Sequence, residues 1–165
     1  MTWTSIHLRT MVASGLCHSD LHLMTGDQPA LSPMCPGHER AGIVEKVGRS
    51  VVGLCRGDHV VTSFIPSCGH CRYCAAGRAN LCDLGSIMAI GPRLDGTYRM
   101  HLDGRDVHQF LTISTPSAWS VVSELSVVEI PDDVPLERSA FLLAELAPVL
   151  GPPSPPSYAL VTRSL

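Results

Sequence analysis

Residues 68–82 read CGHCRYCAAGRANLC, and this stretch decides how the rest of the chain is organised. Its cysteines follow the pattern C-x2-C-x2-C-x7-C and are Cys68, Cys71, Cys74 and Cys82. Zinc binds four thiolates in a tetrahedron, and two-residue gaps let a short loop turn its sulfurs toward one centre. The spacing therefore predicts a closed structural zinc site. Such a site would contribute to folding, because it does not exist in the unfolded chain.

The spacing leaves other fates open for these four cysteines. They could be small buried residues, or they could form disulfide bonds, which need an oxidising compartment that nothing else in the sequence indicates. An iron–sulfur cluster also takes four thiolates, but its usual spacings differ from this one.

The composition is that of a globular protein. Of 165 residues, 45% are hydrophobic and 16% are charged, and the formal net charge is −3 with scattered basic residues. This charge pattern argues against nucleic-acid and anionic-membrane partners. We find no signal-peptide pattern at residues 1–11 and no run of about 18 apolar residues, so we expect no membrane span. Seven cysteines without a secretion signal favour a reducing, cytoplasmic location.

Short strands with Gly and Pro turns dominate the predicted structure. We predict helices at 19–24 and 134–146, and strands at 5–13, 41–47, 59–65, 119–122 and 126–130. Residues 84–105 are Gly-rich and read as irregular, with a turn at 94–96. The pattern indicates a mainly β, α+β domain built as a small barrel or sandwich with one or two helices. Four prolines at 152–156 predict a stiff tail.

Cys17 and His38 form a second candidate for metal binding, with Asp20 and Glu39 as carboxylates beside them. A catalytic zinc takes three protein ligands and leaves one position open, and a carboxylate commonly orients the ligating imidazole. The residue types fit this chemistry. However, 21 positions separate Cys17 from His38, and a buried cysteine with a hydrogen-bonded histidine remains the alternative.

Four motifs together resemble the zinc-containing medium-chain alcohol dehydrogenases. In chain order they are GLCHSD at 15–20, GHE at 37–39, GDHV at 57–60 and the cysteine loop. The resemblance runs from about residue 9 to about residue 143, and the motifs are specific in combination. Residues 64–69 and 80–85 look most similar to a bacterial branch described as nicotinoprotein, or NDMA-dependent, alcohol dehydrogenases.

This resemblance implies a GroES-like catalytic domain, a partly closed β-barrel that carries a structural zinc lobe and holds two zinc ions. We expect the domain at 1–143, shortened at its N-terminus, with the zinc lobe at 66–85 and an off-family Pro-rich tail at 144–165. The resemblance also implies that the cysteine loop holds the structural zinc. Cys17 and His38 would bind the catalytic zinc, Glu39 would sit behind that zinc within the metal site, and Asp20 would be the partner of His38.

The family's reaction is the oxidation of a small alcohol to an aldehyde or ketone with NAD(P), or the reverse. Ser19 would take the alcohol proton, His22 would be the surface end of the proton relay, and His18 would lie near the cofactor pyrophosphate. A zinc ion would act as the Lewis acid that lets the alcohol proton leave near neutral pH. Hydride transfer belongs to the nicotinamide. An oligomer is compatible with the resemblance, although the sequence does not define one.

The chain departs from the family pattern at several places. The family's third catalytic-zinc ligand is a cysteine near position 145, where this chain has Glu145 and no cysteine after Cys82. No Gly-x-Gly-x-x-Gly motif of a Rossmann domain is present. Arg40 replaces a small residue beside His38 and is expected to crowd the site. We therefore expect a truncated catalytic domain that is inactive alone, and the alternative is a non-catalytic zinc-binding GroES-like fragment or remnant.

Overall fold

The computed structural model of the protein describes residues 5–88 and 91–142. Short strands make up most of its regular structure. In chain order the elements are β1 (Ser5–Ser14), α1 (His18–Thr25), β2 (Met34–Cys35), β3 (Arg40–Val47), β4 (His59–Thr62), α2 (Arg72–Ala75), β5 (Met100–Leu102), β6 (Arg105–Gln109), β7 (Trp119–Ser123), β8 (Val127–Glu129) and α3 (Leu136–Ser139). Short 3-10 helices lie at Ala79–Leu81, Asp83–Ile87, Phe110–Thr112 and Glu124–Ser126.

The strands form two open sheets. The larger sheet has the order β7-β1-β3-β4-β8 with antiparallel neighbours, and the smaller sheet has the order β2-β6-β5. Within the described ranges, the predicted mainly β, α+β fold class is confirmed. The partly closed barrel that we expected takes the form of these two sheets, which do not close into a barrel.

One face of the larger sheet builds the main core. Four fully buried side chains come from four adjacent strands and are Ile6, Val44, Val60 and Val122. Ile113, also fully buried, packs against them from the segment that follows β6. β-branched side chains suit such a sheet face because they are stiff and fill the pleated surface.

A second cluster covers the other face of β3. Ala41 and Val61 are buried there against Leu136 of α3 and the neighbouring Ala140. Both cores therefore pack against β3, whose first residue directly follows the Gly37-His38-Glu39 motif. This packing gives the motif a rigid base.

The pairing of β1 with β3 brings the two halves of the candidate site together. Ser14 at the end of β1 is the register partner of Arg40 at the start of β3. Immediately beyond, the backbone N–H of Gly15 donates to the carbonyl of Glu39 at 3.1 Å. Cys17 follows two residues later, so it arrives beside His38 despite the distance between them in sequence.

Most predicted elements are present, with shifted ends. The helix predicted at 19–24 is α1, which ends at Gly26 with φ +83, a left-handed conformation typical of a C-terminal glycine. The strand predicted at 59–65 ends at Thr62. The prediction that residues 84–105 are irregular is wrong at one end, because β5 and the start of β6 form an antiparallel pair there.

Two expectations fall partly or wholly outside the described ranges. The helix predicted at 134–146 is described only at Leu136–Ser139, and the tail expected at 144–165 lies outside. The domain boundaries therefore stay predictions. Among the described residues, no helix has both the length and the apolar character needed to cross a membrane.

Candidate metal centres

The four cysteines of the loop converge on one point. Their sulfur atoms all lie within 4.8 Å of one another, and the Sγ atoms of Cys68 and Cys74 are 4.0 Å apart. Backbone N–H groups point at the sulfurs, since Cys71 N donates to Cys68 Sγ at 3.3 Å and Cys74 N donates to Cys71 Sγ at 3.4 Å. Gly69 allows the turn with φ +78. Four convergent sulfurs with backbone N–H support are a donor set that fits zinc.

The thiols of this loop differ in acidity. Hydrogen bonds from the backbone N–H groups of Cys74 and Asp83 lower the pKa of Cys71 to about 6. Burial raises the pKa of Cys82 to about 12. Without metal at neutral pH, Cys71 is therefore a thiolate and Cys82 is a thiol. Zinc binding has to release the proton of Cys82, which makes binding dependent on pH.

A second convergent group joins Cys17, His38 and Glu39. Their ligand atoms lie within 4.8 Å of one another, and Nε2 of His38 is 4.0 Å from Oε1 of Glu39. His38 is 5% exposed and Glu39 is 6% exposed. Among the described residues, the Nδ1 atom of His38 has no hydrogen-bond partner. A buried carboxylate beside a buried imidazole and a half-buried thiol needs a cation or a proton to balance its charge.

Asp20 connects the two segments that carry these ligands. Its side chain is buried, Oδ2 accepts from the backbone N–H of Cys17 at 3.0 Å, and Oδ1 accepts from the backbone N–H of Gly37 at 2.7 Å. Oδ1 is also 3.8 Å from Nδ1 of His38. Asp20 thus lies beside His38, where the resemblance implied a partner, but its hydrogen bonds go to the backbone.

Two phenyl rings fix the imidazole of His38. Phe64 contacts it edge to face at a centroid distance of 5.8 Å, and Phe110 does the same at 5.6 Å. Edge-to-face packing is a favourable arrangement of aromatic rings. The ring therefore has little freedom to rotate away from Cys17 and Glu39.

Gly15 leaves room for the carboxylate of Glu39. A Cβ atom at position 15 would overlap Oε2 of Glu39 and would lie 3.0 Å from its Cδ. A side chain at position 15 would thus push Glu39 out of its place beside His38.

An apolar cleft of about 320 Å³ leads to the second group. Its polar lining consists of Cys17, Ser19, Gln28 and His38. The apolar lining consists of Phe64, Met88, Phe110 and Leu111. A small apolar cavity with a few convergent polar groups is typical of a site for a small molecule.

The remaining candidates lie on α1. Ser19 lines the cleft, whereas His18 and His22 form a ring pair with a centroid distance of 4.7 Å. His22 is partly exposed, and its Nδ1 atom is 3.6 Å from Oδ2 of Asp27. The helix therefore carries Ser19 in the cleft and His22 toward the surface.

Arg40 does not crowd the site, so that expectation is wrong. Its guanidinium is fully buried and donates to Ser120 Oγ and to the carbonyl of Ser117, and neither residue lines the cleft. Glu145, considered as a replacement ligand, lies outside the described residues. The chain offers Glu39 as the third group of the cluster instead.

Several residues that shape the site carry no signal in the sequence. Phe64, Phe110 and Leu111 are ordinary apolar residues in sequence, and only the tertiary fold places them around His38. Gly15 was part of a quoted motif, but its contact with Glu39 depends on the β1–β3 register. A conspicuous glycine two positions before a candidate ligand is the one signal that could have indicated it.

Comparison with known proteins identifies chains that are similar to this one. A family model described as the alcohol dehydrogenase GroES-like domain matches residues 7–112. The NDMA-dependent alcohol dehydrogenase of Amycolatopsis methanolica is 47% identical over 130 residues, which make up 79% of this chain and 35% of that protein. The chain thus spans about a third of the length of the curated relatives it matches.

Solved structures of zinc-binding and alcohol dehydrogenases are also similar to this chain. An alcohol dehydrogenase zinc-binding domain protein from Burkholderia ambifaria matches with a TM-score of 0.77 and 34% identity, over 84% of this chain and 38% of that chain. The benzyl alcohol dehydrogenase of Acinetobacter calcoaceticus matches with a TM-score of 0.68 and 30% identity, over 85% of this chain and 37% of that chain.

Proposed function

The chain belongs to the alcohol dehydrogenase GroES-like domain family, as its motifs predicted, and from this premise we propose that it is the zinc-binding catalytic part of an alcohol dehydrogenase. The reaction would convert a small alcohol to an aldehyde or ketone, with NAD(P) as the hydride acceptor. The observation that carries the proposal is the convergence of half-buried Cys17 with buried His38 and Glu39, where Cys17 and His38 line an apolar cleft.

The residues of this group fit a zinc ion. Thiolate, imidazole and carboxylate are the three protein donors that zinc takes, and three of them leave one position for a substrate. The carboxylate of buried Glu39 accepts no hydrogen bond among the described residues, and Nε2 of His38 lies 4.0 Å from its Oε1 atom, so a cation held between the two side chains would balance its charge. When bound, zinc would supply Lewis-acid chemistry that lowers the pKa of a coordinated hydroxyl group.

The protein's own side chains would transfer the alcohol proton and hold the metal-binding residues in place. The Ser19 hydroxyl lies in the cleft and is the group that we assign to accept the alcohol proton on its Oγ atom. His22, three residues later on α1 and partly exposed, would pass that proton to solvent. Asp20 holds Cys17 and His38 in register through the backbone, while Phe64 and Phe110 keep the imidazole oriented.

The cleft favours a particular class of alcohol. Its walls are the side chains of Phe64, Met88, Phe110 and Leu111, and they offer an apolar surface without a charged group. An alcohol with an aromatic or aliphatic body fits this lining, with its hydroxyl toward Cys17, Ser19 and His38. Benzyl alcohol is therefore a suitable probe substrate.

The cofactor and the location are further parts of the proposal. His18 is exposed on the first turn of α1, where it could meet a cofactor phosphate. The family is the basis for NAD(P). None of the seven cysteines, all of which lie in the described ranges, forms a disulfide bond, which suits a reducing compartment such as the cytoplasm.

Zinc content of the purified protein tests the proposal. We expect about two zinc ions per chain in the unmodified protein, one in the four-cysteine loop and one in the Cys17 group, and about one in Cys17→Ala. Cys55→Ala is the matched control, because Cys55 is exposed and belongs to neither group, and it should keep both ions. With cobalt in place of zinc, benzyl alcohol should change the part of the absorption spectrum that depends on Cys17.

A second function, zinc binding without catalysis, is favoured by one specific observation. The sequence has no cysteine after Cys82, so a second sulfur ligand for the Cys17 group is missing. A single zinc ion per unmodified chain, unaffected by Cys17→Ala, would support this alternative and contradict the catalytic proposal. NADH formation from benzyl alcohol and NAD that disappears in Cys17→Ala would decide for catalysis.

A further inference from the structure

Arg40 is a buried cation at the start of β3, directly after the GHE motif. Its side chain is fully buried, and burial lowers its pKa to about 10, so it remains protonated at neutral pH. Nη1 donates to Ser120 Oγ, and Nη2 donates to the carbonyl oxygens of Ser117 at 3.0 Å and Ala118 at 3.5 Å. No carboxylate pairs with it among the described residues. A charge that is kept in the interior on neutral acceptors alone is costly and calls for a role.

The contacts of Arg40 fasten the segment 117–120 to β3. Ser120 Oγ in turn donates to the carbonyl of Ser114 at 3.1 Å, and Ser114 Oγ donates to the carbonyl of Cys35 at 2.7 Å. Ser114 also receives the backbone N–H of Phe110 on its Oγ atom at 3.0 Å. A continuous path of hydrogen bonds thus runs from the guanidinium to the turn after β6.

That turn has an unfavourable backbone. Leu111, Thr112 and Ser114 have φ values of +50, +63 and +55, which non-glycine residues rarely adopt. Such conformations persist only where the surrounding structure over-determines them. The carbonyl of Ser114, which is two hydrogen bonds away from Arg40, and its hydroxyl, which binds Phe110 and Cys35, are part of that surrounding structure.

The same turn forms one side of the candidate site. Phe110 and Leu111 line the cleft, and Phe110 packs against His38. Thr115, at the end of this turn, donates its backbone N–H to the carbonyl of Gly37 at 3.2 Å. A Cβ atom on Gly37 would overlap Thr115 Oγ1, so the two segments are in close contact.

We propose that Arg40 is a positioning residue whose guanidinium fastens residues 114–120 to β3 and thereby holds the strained turn at 110–115 against His38 and the cleft. The hydrogen-bond path does not depend on the proposed function, whereas its consequence for metal binding rests on that function. Arg40 thus shapes the site from outside the cleft.

Hydrogen exchange on the zinc-loaded chain tests this role. In Arg40→Lys the cation stays, but a single ammonium group cannot reproduce the forked contacts with Ser117 and Ser120. We expect the amides of Phe110 and Thr115 to exchange at least about tenfold faster, while the amide of Val44 in the core keeps its rate. Arg40→Met should enlarge the local effect. Arg105→Met, which removes an exposed arginine of β6, is the matched control and should change neither rate.

The exchange rates distinguish a local effect of Arg40 on the turn from a general loss of stability. Unchanged exchange of Phe110 and Thr115 in Arg40→Lys would overturn the proposal, and so would an equal acceleration of Val44. If Arg40→Met unfolds, the lysine variant alone decides, because it retains the buried charge.

Cobalt substitution distinguishes this proposal from the proposed function. In the unmodified chain, the cobalt absorption lost in Cys17→Ala identifies the second metal group. Arg40→Lys should shift or weaken that absorption and leave the absorption of the four-cysteine group unchanged. If the unmodified chain shows no Cys17-dependent absorption, the proposed function fails, while the exchange of Phe110 and Thr115 still reports on Arg40. If that absorption is present and identical in Arg40→Lys, the claim about metal positioning is wrong.

Discussion

The carboxylate of Asp20 accepts a hydrogen bond from the backbone N–H of Gly37 at 2.7 Å, across 17 positions of the chain. Its other oxygen accepts from the backbone N–H of Cys17. One buried side chain therefore connects the two segments that carry Cys17 and His38, independently of any metal. The carboxylate needs both acceptor oxygens for this connection.

Asp20→Asn should loosen the site while keeping the size of the side chain. The amide replaces one acceptor oxygen by an N–H donor, which would face either the N–H of Cys17 or that of Gly37. We expect the free energy of unfolding to fall by about 1–3 kcal/mol, because a buried backbone donor loses its partner. Zinc content should fall toward one ion per chain. Urea unfolding and elemental analysis measure the two effects.

Asp27→Asn is the control for this change, since Asp27 follows the same helix but is exposed. It should leave both quantities as they are. Full stability and two zinc ions in Asp20→Asn would show that Asp20 does not hold the two segments together.

Gly15→Ala should displace Glu39 from the second metal group. The new Cβ atom would overlap Oε2 of Glu39, and the buried carboxylate has little room to retreat. Overpacking of this kind costs about 1–3 kcal/mol of stability. We expect loss of the second zinc ion together with a lower urea midpoint.

A double variant separates the clash from other effects. Glu39→Ala in the Gly15→Ala background removes the atoms that collide, so stability should recover although zinc content should not. Gly85→Ala is the matched control, because the nearest atom to its Cβ is Met88 Cε at 3.7 Å. A Gly15→Ala protein that retains two zinc ions would contradict the role given to Glu39.

In the metal-free chain, Cys71 should be the cysteine of the loop that iodoacetamide modifies first at pH 7. Its pKa of about 6 makes it a thiolate there, whereas Cys82, with a pKa of about 12, carries its proton. The folded pKa of Cys71 is lowered, so its reactivity should decline as the pH falls through about 6 and should change little above pH 7. Mass spectrometry of peptides alkylated between pH 5 and 8 measures both trends. Modification of Cys82 before Cys71 would contradict the assignment.

The sequence predicted one metal group better than the other for a physical reason. The four loop cysteines lie within 15 positions, so local spacing alone predicts their convergence. Cys17 and His38 meet only because Ser14 pairs with Arg40 in the β1–β3 register, which no local pattern reveals. Their type suggested metal, and the family resemblance, rather than spacing, connected them.

The features of the fold that the sequence did not predict also depend on tertiary contacts or lack a local signal. β6 is rich in polar and charged residues, since Arg105–Gln109 reads RDVHQ, and it lacks the apolar alternation by which strands are recognised. The left-handed conformation of Leu111 has no sequence signal, because leucine does not favour it. The direction of the Arg40 side chain depends on hydroxyl and carbonyl groups of β7 and the loop before it, 77 to 80 positions away. Long-range polar contacts of this kind are invisible to a reading based on hydrophobic periodicity.

Removal of zinc should make the cysteine loop open more often, although the closed form still dominates, and should leave the sheets folded. No residue of 68–88 belongs to either buried hydrophobic cluster of the described structure, so sulfur–metal bonds would supply most of the loop's stability. Trypsin can report on this, because Arg72 lies in the loop with a side chain that is 75% exposed, and Arg105 lies outside it. Chelation by EDTA should speed cleavage after Arg72 by about tenfold or more, while cleavage after Arg105 keeps its rate, because the loop opens locally. Equal acceleration at both arginines would instead mean that the zinc ion stabilises the whole domain, and no acceleration at Arg72 would mean that the loop folds without metal.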